Sequence, residues 1–392
     1  MQKKLCDCCD FYAGTGFPEI YQGNSEGEYP FYKVGDISSN VIAGNVYLNH
    51  CENYISKNVV SLIQGTLIPE GTVVFAKIGE ALKKNRRAIT KSDCLVDNNA
   101  MGIAPHTNLL RTKYFYYFML ALKMEKYAEA TAVPSVRKTR LEQVSIYIPT
   151  IEQQTQIETL LDSLSTVISL RQRQLRTLDV LIKARFVEMF GDPIINDRGW
   201  QQITLLDSLE TGRTVTYGIV QTGDEYENGT PVFRPIDIAG GHVPKREELK
   251  KTDPLISAQY KRTLLKGNEL LITVRGSVGE TFQTTKEFEG CNVGRNIVPL
   301  VTDSSKVLQR FLQELFAQDA IKNWLKGITK GIALQGLNMG EFKEMPVVVP
   351  PKAKQKAFVD FAMQVDKSKV VVQAALDEAQ LLFDSLMQQY FG

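Results

Sequence analysis

The sequence predicts a mixed α/β (α+β) chain built as a tandem repeat, two globular domains separated by two long antiparallel coiled-coil helices. Three observations predict it. The chain matches itself when shifted by 201 residues, apolar runs bounded by glycine or proline mark buried strands in both copies, and a heptad-spaced apolar stretch closes each copy.

The self-match is carried by landmarks. Pro30-Phe31-Tyr32-Lys33-Val34-Gly35-Asp36-Ile37 falls on Pro231-Val232-Phe233-Arg234-Pro235-Ile236-Asp237-Ile238, and Leu141–Pro149 falls on Phe342–Pro350. Phe190-Gly191 falls on Phe391-Gly392, and Gly71–Gly79 resembles Gly267–Gly276 with one insertion. A period near 200 is far longer than the roughly 20–50 residues of a solenoid unit, so each copy is a domain with its own core. The reading divides the chain into a domain at 1–149, a helical region at 150–192, a second domain at 193–350 and a second helical region at 351–392.

Within each domain VVFAKI (73–78) and ELLITV (269–274) read as buried strands, and VSIYIP (144–149) and PVVVP (346–350) as strands stopped by proline. The first helix carries two interleaved heptad stripes, Ile157, Leu164 and Leu178 with Leu161, Ile168, Leu175, Ile182 and Met189, the first interrupted by Arg171 and Arg185. The second helix repeats the pattern with Phe358, Val365, Val372, Ala379 and Leu386 and with Ala362, Leu376, Phe383 and Tyr390. Thr150 with Gln153 resembles a capping box, Pro351 suits a first turn, and Gly191 and Gly392 stand where helices stop. Helices of this length span roughly 52–60 Å at 1.5 Å per residue. Such a stripe cannot bury itself, so the two helices are expected to pair, with the globular parts at opposite ends.

Composition sets the class. The chain has 392 residues, 43% hydrophobic and 23% charged, which excludes collagen-like, disordered and disulfide-scaffold proteins. No apolar run reaches the ~18 residues of a membrane span, and the Met1–Cys6 start meets Asp7 and Asp10 before any apolar core, so a cytoplasmic protein is expected. A formal net charge of +2 leaves only local basic surfaces for a polyanion. The six cysteines (Cys6, Cys8, Cys9, Cys51, Cys94, Cys291) follow no disulfide spacing, and Cys6-Asp7-Cys8-Cys9 lacks the second cysteine pair of a zinc site, which His50-Cys51 could complete only if the fold brought them together. Reduced thiols and no metal are expected.

The duplicated architecture, with Phe186-Val187-Glu188-Met189-Phe190-Gly191-Asp192-Pro193 closing the first helix, resembles the specificity (S) subunit of type I restriction-modification systems. Further residues carry the resemblance: Ile148-Pro149-Thr150-Ile151-Glu152-Gln153-Gln154 at the helix start, Gly14-Thr15-Gly16-Phe17-Pro18, Tyr29–Ile37, and Asp97-Asn98-Asn99-Ala100-Met101. The second helix start departs, since Lys352-Ala353-Lys354-Gln355 lacks the glutamate. The resemblance spans the whole chain and rests on order, spacing and duplication together.

It implies a non-catalytic protein in which two target-recognition domains each read half of a split, asymmetric site in double-stranded DNA while the helices set the unread spacer. It also implies partners: two modification (methyltransferase) subunits and, in a cleaving complex, restriction subunits. S-adenosylmethionine, ATP and Mg are then expected on those partners and no cofactor in this chain.

The residues place candidate DNA contacts on cations beside the strand ends. Lys83-Lys84-Asn85-Arg86-Arg87 puts four cations in five residues after the VVFAKIG strand. Lys77 lies beside them, and Arg275 and Arg295 flank the corresponding strand and loop of copy two. Arg137-Lys138-Thr139-Arg140 is read as exposed rather than bound. The basic run has no counterpart in the second copy, as two different half-sites would require.

Two other classes are weighed. A DNA methyltransferase is suggested by Asp10-Phe11-Tyr12-Ala13-Gly14-Thr15-Gly16, but such a glycine turn must follow a strand and open a helix. Cys6–Cys9 make a poor strand, Pro18 follows closely, and no Asn/Asp-Pro-Pro-aromatic tetrad exists. Nuclease and phosphate-loop motifs are absent too, and His50, His106 and His242 are scattered. A coiled-coil scaffold, with Arg171, Arg173, Arg176 and Lys183 meeting partner helices, would have no use for two divergent heads with basic loops.

Overall fold

The computed structural model describes residues 1–129, 133–241, 244–330 and 336–392. His242 lies outside the described residues. The chain forms two compact units: residues 1–173 with 372–392, and residues 174–371. Each unit therefore holds one globular domain together with part of both long helices.

In chain order the first domain comprises β1 (Gln2–Lys4), β2 (Cys9–Ala13), β3 (Tyr29–Tyr32), α1 (Val34–Ile42), β4 (Tyr54–Ile55), α2 (Lys57–Leu62), β5 (Val73–Ala76), α3 (Glu80–Lys83), β6 (Arg87–Ile89), β7 (Leu95–Val96), β8 (Ala100–Pro105), α4 (Thr112–Ala121), α5 (Lys138–Glu142) and β9 (Ser145–Tyr147). The first long helix is α6 (Ile151–Phe190). The second domain follows with β10 (Gln201–Thr204), β11 (Thr230–Phe233), α7 (Pro235–Ile238), β12 (Lys250–Thr252), α8 (Pro254–Ala258), β13 (Leu270–Thr273), β14 (Thr281–Gln283), β15 (Asn292–Val293), β16 (Ile297–Leu300), α9 (Gln309–Ala317), α10 (Asp319–Gly327), β17 (Thr329–Lys330), β18 (Gly336–Leu337), α11 (Met339–Lys343) and β19 (Pro346–Val349), and α12 (Lys352–Phe391) ends the chain.

The sheets show that the repeat is structural. Strand β3 lies between β4 and β7 as β11 lies between β12 and β15, and β5 lies between β8 and β6 as β13 lies between β16 and β14. In both domains the first strand pairs antiparallel with the last, β1 with β9 and β10 with β19. Only the first domain adds β2 to its larger sheet, on the outer edge of β8. The predicted strands are present: β5 and β13 are buried at every residue, as runs of branched and aromatic residues flanked on both sides require.

Both long helices start where the sequence puts a cap. Thr150 and Gln153 form a reciprocal box, the Gln153 N–H donating to Thr150 Oγ1 at 3.3 Å and the Thr150 N–H to Gln153 Oε1 at 3.1 Å. Pro351 stands one residue before α12 rather than inside its first turn, and its carbonyl accepts from Lys354 and Gln355. Gly191 ends α6 at φ +74, where a Cβ would lie 2.0 Å from Asp197 Oδ1.

A buried glutamine then fastens each helix to its domain. Gln154 donates to the carbonyls of Leu109 and Pro149 and accepts from the Arg111 N–H, while Gln355 donates to those of Lys306 and Pro350 and accepts from the Leu308 N–H. Both side chains are wholly buried. In the first unit Arg111, just before α4, ties to Glu158 of α6 at 2.8 Å, and Lys113 of α4 ties to Asp162 at 2.6 Å. In the second, Arg310 of α9 reaches Asp366 of α12 at 2.8 Å.

The heptad stripes face inward in both units. In the second, Phe186 and Phe190 of α6 meet Phe358 of α12 at centroid distances of 5.4 and 5.5 Å and Phe311 of α9 at 5.3 and 5.0 Å, all four rings fully buried. Further along, Arg185 lies over Phe361 and Lys369 pairs with Asp179 at 2.6 Å, so the numbering of the two helices runs in opposite senses and the pair is antiparallel. In the first unit Ile157, Leu161 and Met387 are buried together, with Phe383, Leu386 and Tyr390 packed against them.

Ile182, Val365 and Val372 are likewise buried, but Leu164, Ile168, Leu175, Leu178 and Leu376 are only half-buried. Two helices cover one side of each stripe and leave its flanks open. No described helix is long and apolar enough to cross a membrane.

Candidate nucleic-acid interface

In both domains the strand flanked on either side, β5 in the first and β13 in the second, ends at a short crossing of three segments. In the first, the Lys77 N–H donates to the Asn99 carbonyl at 2.8 Å and the Lys77 carbonyl accepts from Val136 at 2.9 Å, with Ile78 bridging to Ser135. In the second, the Val274 N–H donates to the Asn296 carbonyl at 2.8 Å and its carbonyl accepts from Leu337 at 2.9 Å, with Arg275 bridging to Gly336. Strand pairing keeps the same register up to this point. Ile78 and Arg275 therefore occupy one place in the repeat, and Asn98 and Arg295 another.

The second crossing carries two exposed arginines. Arg275 and Arg295 are both exposed and line one cleft with Tyr217, Val220, Val274, Leu337 and Met339. Neither arginine has an acidic partner among the described residues. The Oδ1 of Asn296, next to Arg295, is buried without a hydrogen-bond donor.

The basic run of the first domain does not act as one patch. Lys83, at the end of α3, pairs with Glu80 at 2.5 Å, and that carboxylate raises the lysine's pKa. Arg87 is a correction to the sequence reading: it is 1% exposed and faces inward. Its Nε donates to Met119 O at 3.2 Å and one terminal nitrogen donates to Leu122 O at 3.3 Å and to Asn85 Oδ1 at 2.6 Å, with the guanidinium 5.1 Å from the Phe75 ring centre. These are carbonyls that the end of α4 leaves without an intrahelical partner, so Arg87 caps that helix. Burial lowers its pKa, and it is too deep to meet a phosphate.

Lys84 and Arg86 remain on the surface side of the turn, with Lys77 half-buried at the crossing. We expect Arg87→Gln to cost about 3 kcal/mol of stability by denaturant unfolding, because α4 loses its cap and a buried pair of carbonyls is orphaned. Lys84→Ala should leave stability within ~0.5 kcal/mol and lower the salt slope of DNA binding by about 1.

The Arg137–Arg140 run lies on and just before α5. Arg137 pairs with Glu129 at 2.7 Å and Lys138 with Glu142 at 3.6 Å.

The Asp10–Gly16 stretch does not have the strand–turn–helix frame of a glycine-rich cofactor turn. It begins inside β2 and opens no α-helix; the next element is a single 3-10 turn at Glu19–Tyr21. Gly14 is required there because a Cβ would stand 1.8 Å from the Asp97 carbonyl oxygen. Among the described residues no three His, Cys, Asp or Glu side chains are grouped to hold a metal.

Sequence reasoning missed Tyr217 and the pair Gln154 and Gln355. The glutamines had a signal, since the repeat superposes one on the other. Tyr217 had none.

The family described as the type I restriction modification DNA specificity domain matches residues 1–179 and again 198–378. The EcoBI type I restriction enzyme specificity subunit of Escherichia coli is 26% identical over 209 residues, 52% of this chain and 44% of that relative. A Haemophilus influenzae relative, named S.HindORF215P and described by its sequence as a type I restriction enzyme specificity subunit, is 21% identical over 397 residues, 96% of each chain. Among solved structures, the S subunit of a type I restriction-modification system from M. genitalium shares the fold with a TM-score of 0.52 at 14% identity, covering 100% of this chain and 96% of that one. A chain from a structure of type I restriction-modification complex assembly and conformational transition gives 0.58 at 17%, covering 100% and 97%.

Proposed function

We propose that this chain, which belongs to the type I restriction modification DNA specificity domain family, is a non-catalytic specificity subunit whose two domains each read one half of a bipartite, asymmetric site in double-stranded DNA. The observation that carries the reading is the pair of equivalent crossings, built on one backbone plan and lined by different side chains. A duplicated module that must recognise two unlike half-sites needs its frame kept and its surface changed. Mismatches at well-separated positions cost about 1–3 kcal/mol each and add, so two heads multiply specificity.

The long helices have a second role, as the seat of partner subunits. Away from the packed stripes they expose large apolar side chains: Leu160, Val167 and Leu170 with Leu381 and Leu382 in the first unit, and Val180, Leu181 and Val187 with Met363, Val370 and Val371 in the second. Exposed apolar groups at this density support helix-to-helix docking of another protein. In this reading two methyltransferase subunits dock there, and restriction subunits join when the complex cleaves. S-adenosylmethionine, ATP and Mg then belong to those partners, and this chain supplies recognition alone.

The scaffold reading differs in predicting no effect of the helices on a DNA motif. Inserting four residues beside Leu175, about one helical turn, should lengthen the unread spacer of the methylated site and leave both half-sites unchanged. Methylation mapping in cells carrying the variant checks this, and an unchanged spacer would count against the helices as a ruler.

A further inference from the structure

The two crossings differ in a way that separates contacts to phosphate from contacts to bases. Phosphates are the same on every DNA, so nothing in a changed half-site obliges a duplicated module to alter a phosphate contact. Base contacts must change with the half-site.

At the crossing the backbone hydrogen bonds of Lys77 are repeated at Val274, with both N–H donors at 2.8 Å and both carbonyl acceptors at 2.9 Å. Two places on this shared frame carry a cation in the second copy alone, Arg275 where the first has Ile78 and Arg295 where it has Asn98. Both arginines are exposed, neither meets a carboxylate among the described residues, and both open on the cleft walled by Tyr217, Val220 and Met339.

Resting on the DNA-reading function above, we propose that Arg275 and Arg295 are specificity-determining residues that read guanine in the half-site of the second domain. The guanidinium fork matches O6 and N7 of guanine in the major groove, and its charge here is not neutralised by an acid among the described residues. The exposed Tyr217 and Val220 flank the same cleft and supply apolar contact to a neighbouring base. The amide at position 98 of the first copy suits adenine instead, by the same edge chemistry.

The test uses the complex of the full chain with its methyltransferase subunits. Arg275→Ile and Arg295→Asn place the first copy's residues on the second frame, and Arg295→Lys keeps the charge while removing the fork. The methylated motif is mapped for each variant, and binding to the unmodified target duplex is measured as a function of salt. The expected result is a motif relaxed or changed at a G·C pair of one half-site, with the other half intact. Affinity for the original site should fall roughly 5- to 150-fold, and Arg295→Lys, which keeps a donor to guanine but loses the planar fork, should relax the motif less than Arg295→Asn does.

An unaltered motif, with affinity lost equally on all sequences and a salt slope lowered by about 1 per arginine, would make these phosphate contacts and overturn the proposal. If the unsubstituted chain supports no bipartite motif at all, the DNA-reading function itself fails, and the assignment of the arginines falls with it. That outcome is visible in the control before any variant is compared.

Discussion

Exchanging residues 1–149 for the corresponding domain of another specificity subunit will replace one half of the methylated motif and leave the other half unchanged. The cores explain why such a transplant can fold. The smaller clusters around Phe31 and around Tyr32, Ile37 and Val74 belong wholly to the first domain, and the small cluster around Phe233 and the large one around Phe311 belong to the second unit. The larger first-domain core is different. It closes on Ile157 and Leu161 of α6 and on Met387 of α12, and α4 with its N-cap Arg111 presents Arg111, Lys113 and Tyr117 to Glu158 and Asp162.

The donor must therefore bring an α4 that suits the retained helices. A donor without those partners leaves Glu158, only 5% exposed, as an unpaired buried carboxylate, which costs several kcal/mol. With a matched donor, mapping of modified bases should show one new half-motif. A change in both halves would contradict the modular reading.

Phe186→Ala should be strongly destabilising. The ring is fully buried and touches Phe190, Phe311 and Phe358, so its loss removes transfer energy and leaves a cavity that three rigid rings cannot close. Large aromatic truncations in such sites cost about 3–5 kcal/mol. Val187→Ala, one residue on but 49% exposed, should stay within about 0.5 kcal/mol. Denaturant unfolding of the two variants side by side checks this. A loss below ~1 kcal/mol for Phe186→Ala would mean that the helix pair does not depend on its aromatic junction.

Much of this architecture was legible because it is written in periodicities. The repeat, the glycine- and proline-bounded strands and the heptads are statements about spacing, and spacing survives in a sequence. The Thr150–Gln153 cap was legible for the same reason, since both partners lie within one turn. What could not be read depended on distant approach.

Arg87 looks like its neighbours Lys84 and Arg86 in any charge count, yet the end of α4 arrives beside it from more than thirty residues away and turns it into a cap. Glutamines 154 and 355 fall on one another in the repeat, but what they hold is seen only where the loops before α4 and α9 enclose them. The alignment of Ile78 with Arg275 and of Asn98 with Arg295 also needed strand register, because loops between the landmarks differ in length.

The most direct test of the central claim is a map of modified bases in the host genome with this gene intact and with it deleted. The account predicts that one bipartite N6-methyladenine motif, with a fixed unread spacer, disappears on deletion and returns with the intact gene. A map that does not change, in cells where the chain co-purifies with an active adjacent methyltransferase, would contradict it.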